Sequence, residues 1–494
     1  MTDPGAPAPA APPLRAQAAA GVLWAAAEKW LVRASTLVGF VILGRLLEPA
    51  EFGVVALAMV FITVLTVVTE AGFGVYLVQR ATLDRVVTST TFHLSAALGL
   101  VLAPALALGA PGLASLLDAP ALAQVLPALA VALLFAALSV VPASLLQREL
   151  RFRELAVRQV LATGLSVVAA VALAFAGAGV WALVAQTLVR TVVAFAVLWS
   201  TAGFRPSWTF SARAAREAVS FGSKSLGVDL LRRVRDEVDG LVIGVVAGTT
   251  LLGYWTVAVR LVTVLVDLFG AVLGRVAYPV FAKVREDPPR LARAVGTSMA
   301  TGALVLAPAL VLLALTSDVV VPWVFGDQWR PATAVAAVVA FRAIAYGLSD
   351  FHRAALVASG RPGVELVVMV VQVCGQVALL LLLADRGLVT LALGLTAWAF
   401  AVWPLRALIL RRSGIDWGVY AQTGLILACA ALAGGVVLGV DALLGLTGPG
   451  RVTLAVLGGG AVYAAGVLVL CRPTVRSVRE VLPARLGGTR PVAV

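Results

Sequence analysis

The sequence predicts an all-α membrane protein with about fourteen transmembrane helices. Of the 494 residues, 61% are hydrophobic and only 13% are charged, and the mean hydropathy is +1.01. Apolar windows of about twenty residues, the length that crosses a bilayer, recur along the whole chain. Short loops separate these windows, and basic loops alternate with acidic ones. This composition leaves no room for a soluble domain.

The predicted spans follow one another closely. In chain order they are 20–44, 53–78, 87–109, 121–146, 156–176, 180–202, 218–247, 251–277, 294–316, 332–357, 364–384, 388–410, 418–440 and 452–471. They define a disordered cytoplasmic N-terminal tail (1–19), an N-lobe of helices 1–6 (20–202), a basic cytoplasmic inter-lobe linker (203–217), a C-lobe of helices 7–12 (218–412), helices 13–14 (413–471) and a basic cytoplasmic C-terminal tail (472–494).

The loop charges predict the orientation in the membrane. One set of loops, with the two tails, carries 22 basic residues, whereas the other set carries four. Short loops rich in arginine and lysine stay on the cytoplasmic side. The sequence therefore predicts a multi-pass protein of the bacterial cytoplasmic (inner) membrane with both termini in the cytoplasm.

The stretch "DLLRRVRDEVDG" (229–240) holds seven charges in the eleven positions from Asp229 to Asp239. The basic loops on either side of helices 7 and 8 must lie on the same side of the membrane, so an even number of crossings separates them. Since 251–277 is one crossing, 218–247 must be the other, and the charges lie within the membrane. Unpaired charges there cost roughly 2.5–3.5 kcal/mol each. This cost indicates mutual pairing or a water-filled cavity, and the further ionisable residues of helices 1, 2, 7, 8 and 10 favour a central polar chamber.

The two halves of the chain contain a repeat. Residues 31–74 align without gaps on residues 231–274, with eleven identities in 44 positions, and Arg33 aligns with Arg233. Six helices separate the copies, so both have the same orientation in the membrane. Parallel repeats around a site at the bilayer midplane are a transporter architecture.

Six segments occur in a characteristic order: "GRLLEPAEFGVVALA" (44–58), "SLLQRELRFRELA" (144–156), "LLGYWTVAVRL" (251–261), "AYPVFAKVRED" (277–287), "VFGDQW" (324–329) and "ASGRP" (358–362). Through them, residues 20–412 resemble the polysaccharide-transporter family, the Wzx-type flippases of the multidrug/oligosaccharidyl-lipid/polysaccharide (MOP) exporter superfamily. The resemblance implies a V-shaped, MATE-like bundle of two parallel six-helix repeats around a central cavity, followed by two C-terminal helices. It implies a flippase that moves an undecaprenyl-diphosphate-linked oligosaccharide repeat unit from the cytoplasmic to the outer leaflet. That step serves exopolysaccharide or O-antigen-type (lipopolysaccharide) synthesis.

Arginines inside the predicted helices suit such a substrate. A diphosphate crossing the bilayer needs cations to replace its water, and the fork of an arginine matches phosphate oxygens. The candidate substrate-binding residues are Arg33, Arg190, Arg233, Arg260, Arg232, Arg235 and Arg342. Carboxylates among them would carry a coupling ion or balance the arginine charge, and the candidates are Glu70, Asp229, Asp236, Asp239 and Asp267.

The sequence favours a gradient as the energy source. "FGSKS" (221–225) lacks the leading glycine of a nucleotide-binding loop and lies in a predicted membrane helix. The cysteines and histidines show no metal-ligand spacing, so we expect no metal and no cofactor. The expected drive is a proton gradient, a sodium gradient or the membrane potential.

The motifs, the charges and the loop lengths also bear on other substrates and on the partners of the protein. Within the superfamily, the alternatives are a lipid-linked peptidoglycan precursor, which the family motifs disfavour, and a cationic drug, which the many basic residues disfavour. A polysaccharide polymerase or ligase is a remote alternative, because the loops are too short for a catalytic domain. The expected partners are membrane lipid, a polysaccharide polymerase and glycosyltransferases, with no nucleic acid, and the protein is expected to be a monomer.

Overall fold

The computed structural model describes residues 14–284, 287–412, 417–446, 448–472 and 474, and helices dominate these ranges as predicted. The α-helices are α1 (Leu14–Leu46), α2 (Pro49–Glu70), α3 (Phe73–Gln79), α4 (Arg85–Leu116), α5 (Leu122–Arg148), α6 (Phe152–Phe175), α7 (Val180–Thr201), α8 (Ala212–Val246), α9 (Thr249–Lys283), α10 (Pro288–Phe325), α11 (Ala332–Ala358), α12 (Pro362–Leu383), α13 (Leu388–Arg411), α14 (Ala421–Leu444), α15 (Pro449–Thr453) and α16 (Gly460–Leu470). A π-helical turn joins α15 to α16. Within the described ranges no strand interrupts the helices.

Twelve segments of the described residues are long and apolar enough to cross a membrane by length and composition. α2 with α3 forms one of them, and α15 with α16 forms another. The two predicted spans outside this set are α1 and α8, which carry many of the charges. They are continuous helices of 33 and 35 residues. At 1.5 Å per residue each exceeds the roughly 30 Å of a hydrocarbon core.

The sequence supplies caps at the starts of several helices. At α2, Glu48 and Glu51 form a capping box, and Pro49 occupies the first helical turn. At α4, the Asp84 carboxylate accepts a hydrogen bond of 2.6 Å from the backbone amide of Val87. These caps satisfy amides that have no partner inside the helix.

The chain forms two compact units, Met1–Leu241 and Val242–Val494, whose boundary falls inside α8. In the first unit, α1 packs on α6, α4 on α5, and α6 on α7. In the second, α11 packs on α9, α10 and α13, and α14 packs on α10. The lobe limits predicted from the repeat remain a prediction. Of the predicted tails, 1–13, 473 and 475–494 lie outside the described residues, whereas 14–19 belong to α1.

Candidate substrate and ion site

The charged stretch lies on one continuous helix. α8 extends from Ala212 to Val246 and contains no proline. Arg233 pairs with Glu237 one turn later, with Nη1 3.6 Å from Oε1. Arg235 Nη2 lies 2.7 Å from Asp236 Oδ1. These pairs offset part of the cost of placing charges in the membrane.

α2 brings polar side chains to the charged face of α8. Thr63 of α2 lies near Glu237, while its own hydroxyl donates to the Met59 carbonyl at 2.7 Å. Seven residues further along α2, Glu70 lies within electrostatic range of both Arg233 and Asp229. Arg233 is therefore ion-paired with a carboxylate of α8 and lies within electrostatic range of a second carboxylate on α2. Glu237 was not among the candidates from the sequence, although its spacing of four from Arg233 was visible there.

A break in the second predicted span places Glu70. The sequence predicts one uninterrupted helix over 53–78, but α2 ends at Glu70. Ala71 and Gly72 adopt positive φ angles of 41° and 67° before α3 resumes the helix. Glycine reaches this conformation without a steric cost. The carboxylate consequently lies at a helix C-terminus, where the dipole favours a cation, and Arg233 supplies one.

The remaining candidates of the first unit are more scattered. Arg33 is half-buried on α1, Arg190 is exposed on α7, and Arg232 is exposed on α8. In the part of the chain that the structure describes, Arg33 and Arg232 have no ion-pair partner. Asp239 is half-buried on α8. The structure thus groups Glu70, Asp229 and Arg233, and separately pairs Arg235 with Asp236.

In the second unit, the candidates lie on α9 and α11. Arg260 is half-buried on α9, and Asp267, two turns later on the same helix, is exposed. Arg342 is buried on α11, with its guanidinium 5.8 Å from the centre of the Trp255 ring and 5.1 Å from that of Tyr346. Cation–π contacts of this kind hold an arginine in place without neutralising its charge. No residue in the described part of this unit pairs with Arg260.

The second unit also contains a buried polar network that the sequence-based candidates did not include. Arg406 on α13 donates to both oxygens of Glu365, at 2.9 and 3.2 Å, and to Gln372 Oε1 at 3.1 Å. Nearby, His352 Nε2 lies 2.9 Å from Tyr420 Oη. A lone arginine within the apolar span 388–410 was the available signal. Its partner could not be read from the sequence, because Glu365 lies on another helix.

At the start of α8, an ion pair ties this helix to the end of α3. Glu217 Oε2 lies 2.7 Å from Arg80 Nη1, and Glu217 Oε1 lies 3.2 Å from Arg213 Nε. Hydrogen bonds from Arg80 and then Arg213 lower the pKa of the Glu217 carboxyl below its ordinary value. The bond to Glu217 in turn raises the pKa of Arg80. Arg148 donates to the carbonyl of Leu77 at 2.9 Å and so fastens the same end of α3 to α5.

Curated relatives share a role in polysaccharide synthesis. The succinoglycan biosynthesis transport protein ExoT of Rhizobium meliloti (strain 1021) is 28% identical over 300 residues, 60% of each chain. The teichuronic acid biosynthesis protein TuaB of Bacillus subtilis (strain 168) is 25% identical, covering 71% of this chain and 73% of the relative. The lipopolysaccharide biosynthesis protein WzxC of Escherichia coli (strain K12) is 22% identical, covering 64% and 65%. The first of these matches thus spans less than two thirds of the relative's own length.

Solved structures show the fold. The lipid II flippase MurJ, in an inward closed conformation, matches with a TM-score of 0.74 at 13% identity, over 92% of this chain and all of that one. An inward-facing multidrug resistance transporter of the MATE family matches with a TM-score of 0.59 at 14% identity, over 77% of this chain and 94% of that one. The predicted fold class is therefore confirmed: the chain has the fold of MOP-superfamily transporters.

The sequence also matches the model of a protein family. Residues 42–334, more than half of the chain, match the family described as "Polysaccharide biosynthesis protein". This stretch contains the broken span α2–α3, the whole of α8 and the candidate residues from Glu70 to Asp267. The chain is a multi-pass bacterial membrane protein, and it belongs to the polysaccharide biosynthesis protein family.

Proposed function

We propose that this protein is a flippase that moves undecaprenyl-diphosphate-linked oligosaccharide repeat units from the cytoplasmic to the outer leaflet by alternating access. Family membership and the transporter fold support the proposal. The observation that carries it is the charged helix α8, in which Arg233 pairs with Glu237 at 3.6 Å and lies within electrostatic range of Glu70 on α2. An intramembrane charge cluster of this cost has a functional role by default.

Arg233 suits the diphosphate because its present ion pair is loose. At 3.6 Å the pair with Glu237 is longer than a charge-assisted hydrogen bond of about 2.7–2.9 Å, so phosphate oxygens can replace the carboxylate. Arg33, Arg232 and Arg260 add positive charge that no carboxylate of the described residues neutralises. Arg190, Arg235 and Arg342 complete the proposed set, with Arg342 oriented by its aromatic neighbours.

In this proposal the carboxylates balance the arginine charge and bind the coupling ion. Glu70 and Asp229 balance Arg233 when no substrate is bound, and Asp236 balances Arg235. When phosphate displaces a carboxylate from its arginine, the freed carboxylate can take a proton or a sodium ion. Asp239 and Asp267 are further candidates for this ion. Substrate binding and ion binding would thereby be linked through shared arginines.

The cellular setting follows from the proposed substrate. Both termini and the basic loops face the cytoplasm, where lipid-linked repeat units are assembled by glycosyltransferases. A polysaccharide polymerase receives the flipped units on the other side. The protein works as a monomer in the cytoplasmic membrane.

The test is transport by purified protein in liposomes. A fluorescently labelled undecaprenyl-diphosphate oligosaccharide is included in the membrane, and its crossing is followed by quenching from outside. Arg33→Ala with Arg233→Ala should reduce crossing by roughly tenfold or more for each arginine, since a hydrogen bond to a charged group contributes about 1.5–3 kcal/mol. The matched control is Arg290→Ala with Arg330→Ala, two exposed arginines that each pair with an aspartate three residues earlier in the chain.

Each outcome has a definite meaning. Loss of crossing in the first double variant but not in the control supports the proposed site. Equal crossing in both removes Arg33 and Arg233 from the site. Absence of crossing by the native protein, under proton, sodium and potential gradients alike, contradicts the proposed substrate. Vesicles carrying a lipid-linked peptidoglycan precursor then test the first alternative.

A further inference from the structure

The segment between α7 and α8 is an ordered, outward-facing surface rather than a loose connection. It contains residues 202–211, and its polar groups are fixed to α4. Ser207 N donates to Ser89 Oγ at 3.0 Å, and Ser211 N donates to Thr90 Oγ1 at 3.1 Å. Phe204 packs inward on Phe92, with ring centres 5.6 Å apart. The backbone is therefore held against the first two turns of α4.

Two aromatic side chains of this segment point away from the protein. Trp208 is 97% exposed and Phe210 is 57% exposed. Trp208 contacts the protein by stacking on His93, with ring centres 6.2 Å apart and an angle of 23° between the planes. A tryptophan left open on an ordered backbone is unusual in water but common at a membrane interface, where the ring is apolar and its N–H is polar.

Three arginines flank the two aromatic residues along the chain. Arg205, Arg213 and Arg216 are all exposed. Arg213 shares Glu217 with Arg80, so its charge is partly balanced. Arg205 and Arg216 have no carboxylate partner among the described residues. Asp84, the acid that precedes α4, is engaged in capping that helix. The surface therefore has unbalanced positive charge beside exposed aromatic rings.

The position along α4 matches the depth of lipid headgroups. α4 has 32 residues and is about 48 Å long, which exceeds a hydrocarbon core of about 30 Å. The membrane span predicted from the sequence begins at residue 87, so the first turns of α4, which hold Ser207 and Trp208, are expected at the level of the headgroups. The basic character of this end places it at the cytoplasmic leaflet, a placement that rests on the topology in the proposed function.

We propose that Arg205, Trp208, Phe210 and Arg216 form a binding site for an anionic phospholipid of the cytoplasmic leaflet. The arginines bind the headgroup phosphate, and the two rings lie among the glycerol and upper acyl carbons. The site lies on the outside of the first unit, on residues that take no part in the proposed transport site. It would fix the start of α8, the helix that carries Arg233, at a constant depth in the membrane.

The test measures lipid retention without any transport. Purified protein in a neutral detergent is mixed with equal amounts of phosphatidylglycerol and phosphatidylcholine, and the bound lipids are counted by native mass spectrometry. The native protein should retain phosphatidylglycerol preferentially. Arg205→Gln with Arg216→Gln should weaken that retention about fivefold for each arginine removed. Trp208→Ala should reduce retention of both lipids.

A matched control uses the same residue types at other ends of helices. Trp323→Ala with Arg386→Gln removes an exposed tryptophan and an exposed arginine of the second unit and should leave retention unchanged. Size-exclusion chromatography checks that each variant is folded, and Arg205→Gln alone replaces any variant that is not. Equal retention of both lipids by the native protein, or native retention by the arginine variant, would overturn the proposal.

A third experiment distinguishes a phospholipid site from a site for the transported substrate. Undecaprenyl diphosphate carries the same phosphate chemistry, so it is added as a competitor. Failure to displace phosphatidylglycerol supports a dedicated phospholipid site. Displacement at equal concentration would overturn it and assign the surface to substrate loading. Because lipid retention and flipping are measured separately, failure of either proposal leaves the other intact.

Discussion

Two arginines of the membrane helices show how residues of one type take different roles. Arg233 has a side chain 43% exposed and a single ion pair of 3.6 Å. Arg406 has a side chain 5% exposed, and Glu365 accepts two hydrogen bonds from it. A ligand can reach the first arginine and exchange its partner. The second is already bound to its carboxylate and to Gln372, so it stabilises the packing of α12 on α13.

The buried pair predicts an asymmetric mutational cycle. Arg406→Leu alone should lower the free energy of unfolding by about 3–5 kcal/mol, because Glu365 is left as an uncompensated buried charge. Glu365→Leu combined with Arg406→Leu should be close to neutral or stabilising, since two apolar side chains then replace the pair. Thermal unfolding in detergent measures both variants.

An exposed pair provides the comparison. Arg353 and Asp350 on α11 are joined at 2.9 Å, but their side chains are 46% and 68% exposed. Arg353→Leu should shift the free energy of unfolding by about 1 kcal/mol or less. If Arg406→Leu is no more destabilising than this control, the buried pair has no structural role.

At the scale of elements, α8 lies close against the break between α2 and α3. A Cβ added to Gly222 would lie within 2.1 Å of the Ala71 carbonyl oxygen. That oxygen belongs to the residue that leaves the helical conformation, so it cannot retreat into a regular α2. Glycine at this position therefore allows α8 to lie against the break between α2 and α3.

Two glycines of α8 give a matched pair of substitutions. Gly222→Ala should be destabilising, by about 1–3 kcal/mol, because the methyl group meets backbone rather than a flexible side chain. Gly227→Ala meets nothing within 4 Å and should stabilise α8 by up to about 1 kcal/mol through helix propensity. The measurement is the midpoint of thermal unfolding. Similar shifts for both variants would contradict the close contact at the break.

The sequence predicted α8 better than it predicted α2. The structure confirms a continuous helix over the charged stretch. The crossing that the parity of the basic loops requires remains a prediction, since α8 is not among the twelve described segments that are long and apolar enough to span a membrane. The break at Ala71 and Gly72 was not predicted, because a hydropathy window averages over about twenty residues and does not resolve a change at two. The partners of Arg406 and the approach of Glu70 to Arg233 were not predicted for a different reason. Both depend on which helices pack together, and periodicity along the chain carries no such information.

At the scale of the whole molecule, the fold and the proposed transport chemistry depend on different positions of the sequence. The match to MurJ extends over 92% of this chain at 13% identity. Apolar pattern and span length suffice for that fold, so most positions are free to vary. The proposed transport chemistry depends instead on a few charged positions of the helices, above all on α8.

The predicted topology is a property of the whole chain, and three single cysteines test it. In a background with the native cysteines replaced by alanine, Thr209→Cys and Arg290→Cys should resist a membrane-impermeant maleimide added to intact cells. Arg330→Cys, on the opposite face, should react. The first two positions flank α8 and α9, so they share a side only if both helices cross. Labelling of one of them but not the other would remove α8 from the membrane.

The charges of α8 also constrain how the protein is made. At roughly 2.5–3.5 kcal/mol for each central charge, this helix does not partition into lipid as an isolated segment. Its partners Thr63 and Glu70 lie on α2, which leaves the ribosome earlier. Synthesis in this order lets α2 be in place before α8 reaches the translocon, so α8 can insert against a polar surface instead of bare lipid. If α8 crosses the membrane as the sequence predicts, we expect biogenesis of this chain to be directional, with the first unit beginning to assemble before α8 enters the membrane.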